Sequence, residues 1–232
     1  MISIIIPTYN ESEQIRKTIG NLKLLDKNNQ VKEILIVDGG STDNSIQIAS
    51  AAGAETMTAP RRGRAAQMNF AASVATCDVL YFLHADTIPP PGFVEDILSS
   101  VEKGFVAGCY RLSFDLDHWF LKANCWFTRF DINAVRFGDQ SLFVTKPVFD
   151  AIGGFSEDLY IMEDQEIIGR IKRQGRFKVM QNDVITSARK YRENGVYRMQ
   201  LFFFRIWLLY YLGYSQKSLL LLYRKLLRNH KL

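Results

Sequence analysis

The sequence predicts an α/β protein with a mostly parallel central sheet flanked by helices. Three apolar runs carry that prediction: Ile2 to Ile6, Glu33 to Val37 and Val79 to Leu83. Apart from Ser3 and Glu33, each is a continuous apolar run rather than an alternating one, the pattern of a strand buried on both faces. The segments between them carry apolar residues at helical spacing, and strand alternating with helix argues for parallel strands joined by crossovers.

Taken in order, the first run ends at Pro7 and a polar stretch from Asn10 follows, with Ile15, Ile19 and Leu22 on one helical face. The second run closes at Asp38, Gly39 and Gly40. Ser41 or Thr42 with Asp43 is suited to cap the next helix, which carries Ile46, Ile48 and Ala49. A helix is expected over about residues 65–74, leading into the third run. Beyond it the pattern loosens. Residues 106–115 read as a strand, 118–130 as an aromatic-rich helix, 138–145 as turn then strand, and 163–173 as a helix with charged and apolar faces. A composition shift near Gly195 marks a candidate boundary, after which Phe, Leu, Tyr and Trp dominate with interspersed Arg and Lys.

A chain of 232 residues accommodates one large domain, or one domain with an extension. Charged residues make up 23% of it, within the globular range, so a disordered chain is excluded. The three cysteines, Cys77, Cys109 and Cys125, are widely spaced and odd in number, which suits buried thiols rather than zinc or a disulfide framework. The opening MISIIIPTYN lacks the basic region and cleavage site of a secretory signal, so a cytoplasmic location is expected. The net charge of +5 is concentrated in Arg61, Arg62 and Arg64 and in the stretch from Arg189 to Lys231. No nucleic-acid-binding module accompanies it, which leaves a phosphorylated small molecule or an acidic lipid surface as partner.

Ligands of open α/β sheets bind beyond the carboxyl ends of the strands. Those ends present Pro7, Thr8, Tyr9, Asn10 and Glu11, then Asp38, Gly39 and Gly40, then His84, Ala85 and Asp86. Asp38 is suited to hydrogen-bond a base or ribose, or only to cap its own turn. Asp86 is placed to hold a hard divalent ion against a diphosphate, since Mg²⁺ uses one or two carboxylates plus phosphate oxygens. His84 reads as a ligand, a supporting group or a structural histidine. In RRGRAAQMN, guanidinium groups meet a helix start, and both favour phosphate; Arg64 is the strongest candidate there, and a solvated basic loop is the alternative. Glu163 and Asp164, with Glu166 nearby, open a helix, where the dipole alone favours carboxylates; a general base is the functional alternative.

Taken together, SIIIPTYNE, IVDGGSTDNS, RGRAAQMN, FLHADT, GDQSLFV and GGFSEDLYIMEDQEIIGRI resemble a family 2 glycosyltransferase of the GT-A fold, over Ile2 to about Arg192. The pattern is similar to a bacterial subgroup with GRAAQMN, HADT and TSARK. The resemblance implies a Rossmann-like GT-A domain over residues 1–195, with a donor half to about 105, an acceptor half over 106–195, and an amphipathic helical extension over 196–232. It implies a nucleotide-diphosphate sugar of UDP or GDP type as donor, a divalent Mg²⁺ or Mn²⁺ ion, and inversion of configuration. Pro7, Thr8, Tyr9 and Glu11 would line the nucleobase and ribose pocket, with Asp38 and Gly39 at the base and Arg64 on the nucleotide. Asp86 aligns with the last aspartate of the family's D-x-D metal motif, and His84 replaces the first. Asp164 would be the catalytic base and Glu163 its neighbour. Asp139 and Gln140 fall where the acceptor side begins, and Arg189 would return toward the diphosphate. The Q-x-x-R-W motif of processive synthases is missing, which implies transfer of a single sugar.

The stretch LFFFRIWLLYYLGYSQKSLLLLY is interrupted by Arg205 and Lys217, and its longest apolar run is too short to span a bilayer. Aromatic residues flanked by Arg and Lys suit a helix in the membrane interface, on the inner face of the membrane, and a lipid-linked acceptor would fit such a surface; a homodimer interface is the alternative. Two rivals remain. A nucleotidyltransferase would carry a glycine-rich first loop where this chain has PTYNE, and a catalytically silent binding module would not need Asp38, Asp86 and Asp164. A dehalogenase-like hydrolase is excluded, because no D-x-D-x-T nucleophile follows the first strand.

Overall fold

The computed structural model describes residues 1–136 and 138–226; the last basic residues of the C-terminal stretch, Arg228 to Lys231, lie outside them. The first half is built from β1 (Ile2–Thr8), α1 (Ile15–Leu25), β2 (Val31–Asp38), α2 (Ser45–Ala51), β3 (Glu55–Thr58), α3 (Arg64–Val74), β4 (Val79–Phe82), β5 (Thr87–Ile88) and α4 (Phe93–Glu102). The second half adds β6 (Phe105–Phe114), α5 (Trp119–Trp126), β7 (Leu142–Thr145), α6 (Lys146–Ala151), α7 (Glu163–Ile171), β8 (Arg176–Thr186) and α8 (Arg189–Asn194). Two helices follow, α9 (Val196–Tyr211) and α10 (Gln216–Leu226).

The strands form one sheet in the order β3-β2-β1-β4-β7-β6-β8-β5. Strands β1 to β4 run parallel, as expected. Beyond β4 the sheet is mixed: β7 is antiparallel to both β4 and β6, while β6 and β8 are parallel. Burial on both faces explains the unbroken apolar strands. Ile4, Ile6 and Tyr81 pack against Ile15, Ile19 and Phe93 on one side, and Ile5, Leu80 and Phe82 pack against Met68 and Phe155 on the other.

Several boundaries differ from expectation. Helix α2 starts after Asn44, and neither Ser41 nor Thr42 caps it. The Ser41 hydroxyl instead accepts the Asn10 N–H at 2.9 Å, while the Asp43 carboxylate takes the Ser45 N–H. The aromatic helix stops at Trp126, and a 3-10 turn follows over Phe127–Arg129. There the Thr128 hydroxyl donates to Cys125 O and accepts from the Leu112 N–H, pinning the turn to β6. Arg136 is fully buried beneath it and donates to Thr128 O (2.7 Å) and Phe130 O.

Helices α9 and α10 close a third apolar cluster in which Met199, Phe202, Ile206, Leu219 and Tyr223 pack against Leu121 and Tyr191. Among the described residues, no helix is long and apolar enough to cross a membrane.

Candidate active site

The register sets the strand ends level with one another: Thr8 lies opposite Asp38, and Ile5 opposite Phe82. The first turns of the crevice are held by side chains that face inward. Thr8 is buried, with its hydroxyl on Ile6 O, and Gln67 of α3 donates to Thr8 O (3.0 Å) and Val37 O (2.7 Å). Gly39 lies against that amide. A Cβ there would meet Gln67 Nε2 at 3.1 Å, so the close approach of α3 needs glycine or a shifted glutamine. Asp38 is buried, and its carboxylate accepts the N–H groups of Gly40 and Ser41 at 3.0–3.1 Å. The turn-capping role is therefore met within the chain, and Pro7 and Tyr9 flank it half-buried.

The three arginines separate. Arg61 is exposed and pairs with Glu157 at 2.8 Å. Arg62 lies over the second turn, its guanidinium 3.5 Å from where a Gly40 Cβ would stand. Arg64 reaches the other half of the chain, with Glu163 at 3.3 Å and Asp164 at 3.7 Å. Burial works against its charge, but Glu163, Asp164 and Asp139 hold it protonated.

Beyond β4, His84 Nδ1 sits 2.8 Å from Asp139 Oδ1. Burial would raise the Asp139 carboxyl, but the hydrogen bond and charge of His84, with Lys190 and Arg64, hold it well below the usual carboxylate range. Asp86 moves the opposite way, raised by burial and then by Asp139 and Glu11. Arg189 on α8 ion-pairs with Glu11 at 3.5 Å, so it does come back across the strand ends. Gln140 is buried and donates to Tyr110 O at 2.9 Å, bracing β6 rather than lining the crevice.

Glu163 and Asp164 open α7 behind Met162, whose φ of +71° is left-handed. A non-glycine residue in that region costs of order 1–3 kcal/mol and is held by its surroundings. Asn10 and Ser141 are also left-handed. Gln216 supplies part of the hold on α7, accepting the Tyr160 and Ile161 N–H groups at 3.1 Å. Glu163 is 3% exposed, and its carboxyl is raised by burial and by Asp164, against the pull of Arg64. One member of the pair thus keeps its proton to higher pH, an arrangement that sorts acid from base. Gly138 lies flat against Asp164; a Cβ there would stand 2.2 Å from Asp164 Oδ2.

A cavity of about 410 Å³ runs from these carboxylates to Phe127 and Phe204. Sequence reading missed Lys190, Trp207 and Tyr223 on its wall. Lys190 faces Asp139 and Arg64 and bonds the Tyr223 hydroxyl at 3.3 Å. Its position in TSARK was the available signal; Trp207 and Tyr223 have none.

No group of three His, Cys, Asp or Glu side chains able to hold a metal ion occurs among the described residues. Asp86 alone at a strand end, crowded by Asp139 and Glu11, suits a cation whose remaining ligands are phosphate oxygens and water.

The family profile described as Glycosyl transferase family 2 matches residues 3–156. The chain is 35% identical over 85 residues to an uncharacterised glycosyltransferase of Rickettsia prowazekii, covering 37% of this chain and 27% of that one. It is 32% identical over 122 residues to the undecaprenyl-phosphate 4-deoxy-4-formamido-L-arabinose transferase of Yersinia enterocolitica, covering 47% of this chain and 36% of that one. The chain thus matches well under half the length of these relatives. Among solved structures, the mannosyltransferase PcManGT from Pyrobaculum calidifontis in complex with GDP-Man and Mn²⁺ superposes with a TM-score of 0.70 at 17% identity, covering 87% of this chain and 60% of that one. That likeness establishes the GT-A fold.

Proposed function

Because the chain belongs to glycosyl transferase family 2, we propose that it transfers a single sugar from a UDP- or GDP-type nucleotide sugar to an acceptor hydroxyl, with inversion. The observation that carries this reading is a continuous charged network across the crevice. Asp86 feels Asp139, Asp139 bonds His84, and Arg64 links that group to Glu163 and Asp164. A donor diphosphate near Asp86 would lie among Arg62, Arg64, Arg189 and Lys190, whose charges suit it. A mannosyltransferase of the same fold holds GDP-Man with Mn²⁺, which supports a nucleotide sugar and a divalent ion in kind.

In the proposed reaction Asp164 accepts the proton of the acceptor hydroxyl. The acceptor oxygen forms its bond at the anomeric carbon while the bond to the diphosphate oxygen breaks, and the nucleoside diphosphate departs. Glu163 and Arg64 fix the orientation of Asp164. Asp86 would hold the divalent ion. When bound, that ion supplies charge neutralisation on the departing diphosphate. Pro7, Thr8, Tyr9, Glu11, Asp38 and Gly39 would form the nucleoside end, with backbone rather than side chain offered by the buried Thr8.

The catalytic unit is residues 1–195, with a donor half to about 105. The helices from 196 form an extension for the acceptor side. Neither α9 nor α10 carries an acidic residue, and Tyr197, Leu201, Phe204, Leu208 and Tyr211 are exposed beside Arg198 and Arg205. That surface suits the interface of an anionic membrane, and a relative named for undecaprenyl phosphate supports a lipid-linked acceptor in kind. Binding to anionic but not neutral vesicles is the expected result; a soluble dimer that ignores both would replace it.

Asp164→Asn tests the chemistry. Transfer should fall by about 10²–10⁴-fold with nucleotide affinity retained, as loss of a general base requires. Unchanged turnover would remove Asp164 from that role.

A further inference from the structure

The 410 Å³ cavity has two unlike ends. Glu163, Asp164, Arg64 and Lys190 line one; the other is walled by Leu112, Phe114, Phe127, Val135, Phe203 and Phe204. The apolar end opens between α5 and α9, where Phe127 and Phe204 are 52% and 54% exposed at its rim. Trp126 and Phe130 stand exposed beside them, outside the extension. Most clefts of this kind bind apolar groups and orient them with a few polar ones.

Trp207 connects the two ends. Trp207 lines the cavity, yet its indole N–H is buried without a hydrogen-bond partner among the described residues. Buried polar groups are rarely left so. The ring packs on Tyr211 with centroids 4.9 Å apart, and the Tyr211 hydroxyl donates to Gln165, the residue after Asp164. The Trp207 ring thus joins the apolar wall to the residue beside the proposed base.

We propose that this cavity is the acceptor site, and that it takes one apolar chain of a membrane-borne amphiphile. The chain lies between α5 and α9, and the head reaches Trp207 and Asp164. This assignment rests on the glycosyltransferase reading and extends it. The chain enters from the rim, so the aromatic residues of α5 and its following turn face the lipid together with α9. Depth in the cavity, rather than attachment to the surface, selects the acceptor.

With Trp119 and Trp126 replaced by phenylalanine, Trp207 is the sole tryptophan of the chain. Terminally brominated dodecanol, kept below its aggregation threshold, should quench its fluorescence saturably, and brominated butanol at equal concentration should not. Each added methylene should tighten binding by about fourfold until the cavity is full. Ala134→Phe and Val135→Phe, which fill the chamber from its wall, should each weaken quenching at least tenfold while thermal unfolding stays cooperative.

UDP and GDP binding are measured on the same protein. Nucleotide binding with no quenching, or quenching indifferent to chain length and to both fillings, overturns the cavity assignment and leaves the transferase reading intact. Quenching without binding of any nucleoside diphosphate overturns the transferase reading, and with it the cavity's role as acceptor site.

Discussion

Replacing Gly138 with alanine presses first on Asp164. The new Cβ would stand 2.2 Å from Asp164 Oδ2, 2.7 Å from Cγ and 3.0 Å from Oδ1. Ordinary contact begins at 3.4 Å, so the carboxylate must retreat by about 1 Å. Gly138 opens a 3-10 turn, Gly138–Gln140, a helical conformation that alanine adopts readily. A misplacement of about 1 Å at a reacting group costs on the order of 10²-fold in rate. Gly138→Ala should therefore lower turnover about 100-fold. Nucleotide affinity should stay within about threefold, a difference of under 1 kcal/mol. Release of nucleoside diphosphate under saturating donor gives the first quantity, and calorimetric titration of UDP or GDP gives the second. Turnover within threefold of the parent would refute the reasoning, because Asp164 would have moved without consequence. A nucleotide affinity that fell together with turnover would also refute it, since the effect would then not be confined to the base.

Other sites make separate claims. Asp86→Ala should remove most of the metal dependence of nucleotide binding while binding without metal changes little, read by titration with and without Mn²⁺. Arg136→Met leaves the buried Thr128 O and the partly buried Phe130 O without their donor and should cost about 3 kcal/mol in urea unfolding. The Asp139 carboxyl is held down in the folded chain, so its stabilisation is present above its ordinary value of 3.8 and is lost as the pH falls below it. On acidification the parent should lose stability more steeply than Asp139→Asn, by a modest margin because the side chain stays 43% exposed. Glu163 has the opposite sign: its raised carboxyl costs stability once the pH rises past its ordinary value of 4.5. Glu163→Gln should therefore gain relative to the parent between acid and neutral pH, as far as the loss of Arg64 pairing allows.

The first half was legible because β4 and the centres of β1 and β2 are buried on both faces and so carry near-continuous apolar runs. β8 was not, although it is the longest described strand. Its sequence RFKVMQNDVIT leaves Gln181, Asn182 and Asp183 exposed and offers no buried run. β3 is a partly exposed edge of four residues and β5 has two, too short for any period to show. Candidate site residues at strand ends could be named from the rule that ligands bind there, and Arg189, expected toward the diphosphate, ion-pairs with Glu11. Arg64 was expected on the nucleotide, and the structure ties it to Glu163 and Asp164. Gln140 looked like a crevice residue, yet its burial against Tyr110 depends on how β7 pairs with β6, which no local pattern encodes. Lys190 and Trp207 come from helices whose return over the crevice is decided by packing of the third apolar cluster.

The central claim is that the crevice at the strand ends binds a nucleoside diphosphate. Thermal unfolding in the presence of UDP, GDP or ADP, each with Mn²⁺ or Mg²⁺ and each at about 100 times its dissociation constant where binding occurs, tests it directly. Such saturation adds about 2.7 kcal/mol, or roughly 5–11 °C for a chain of this size. UDP or GDP should produce that shift with metal, less of it without metal, and with Asp86→Ala no more than the metal-free shift at the same concentration. A melting temperature indifferent to every nucleoside diphosphate under both metals would contradict the account.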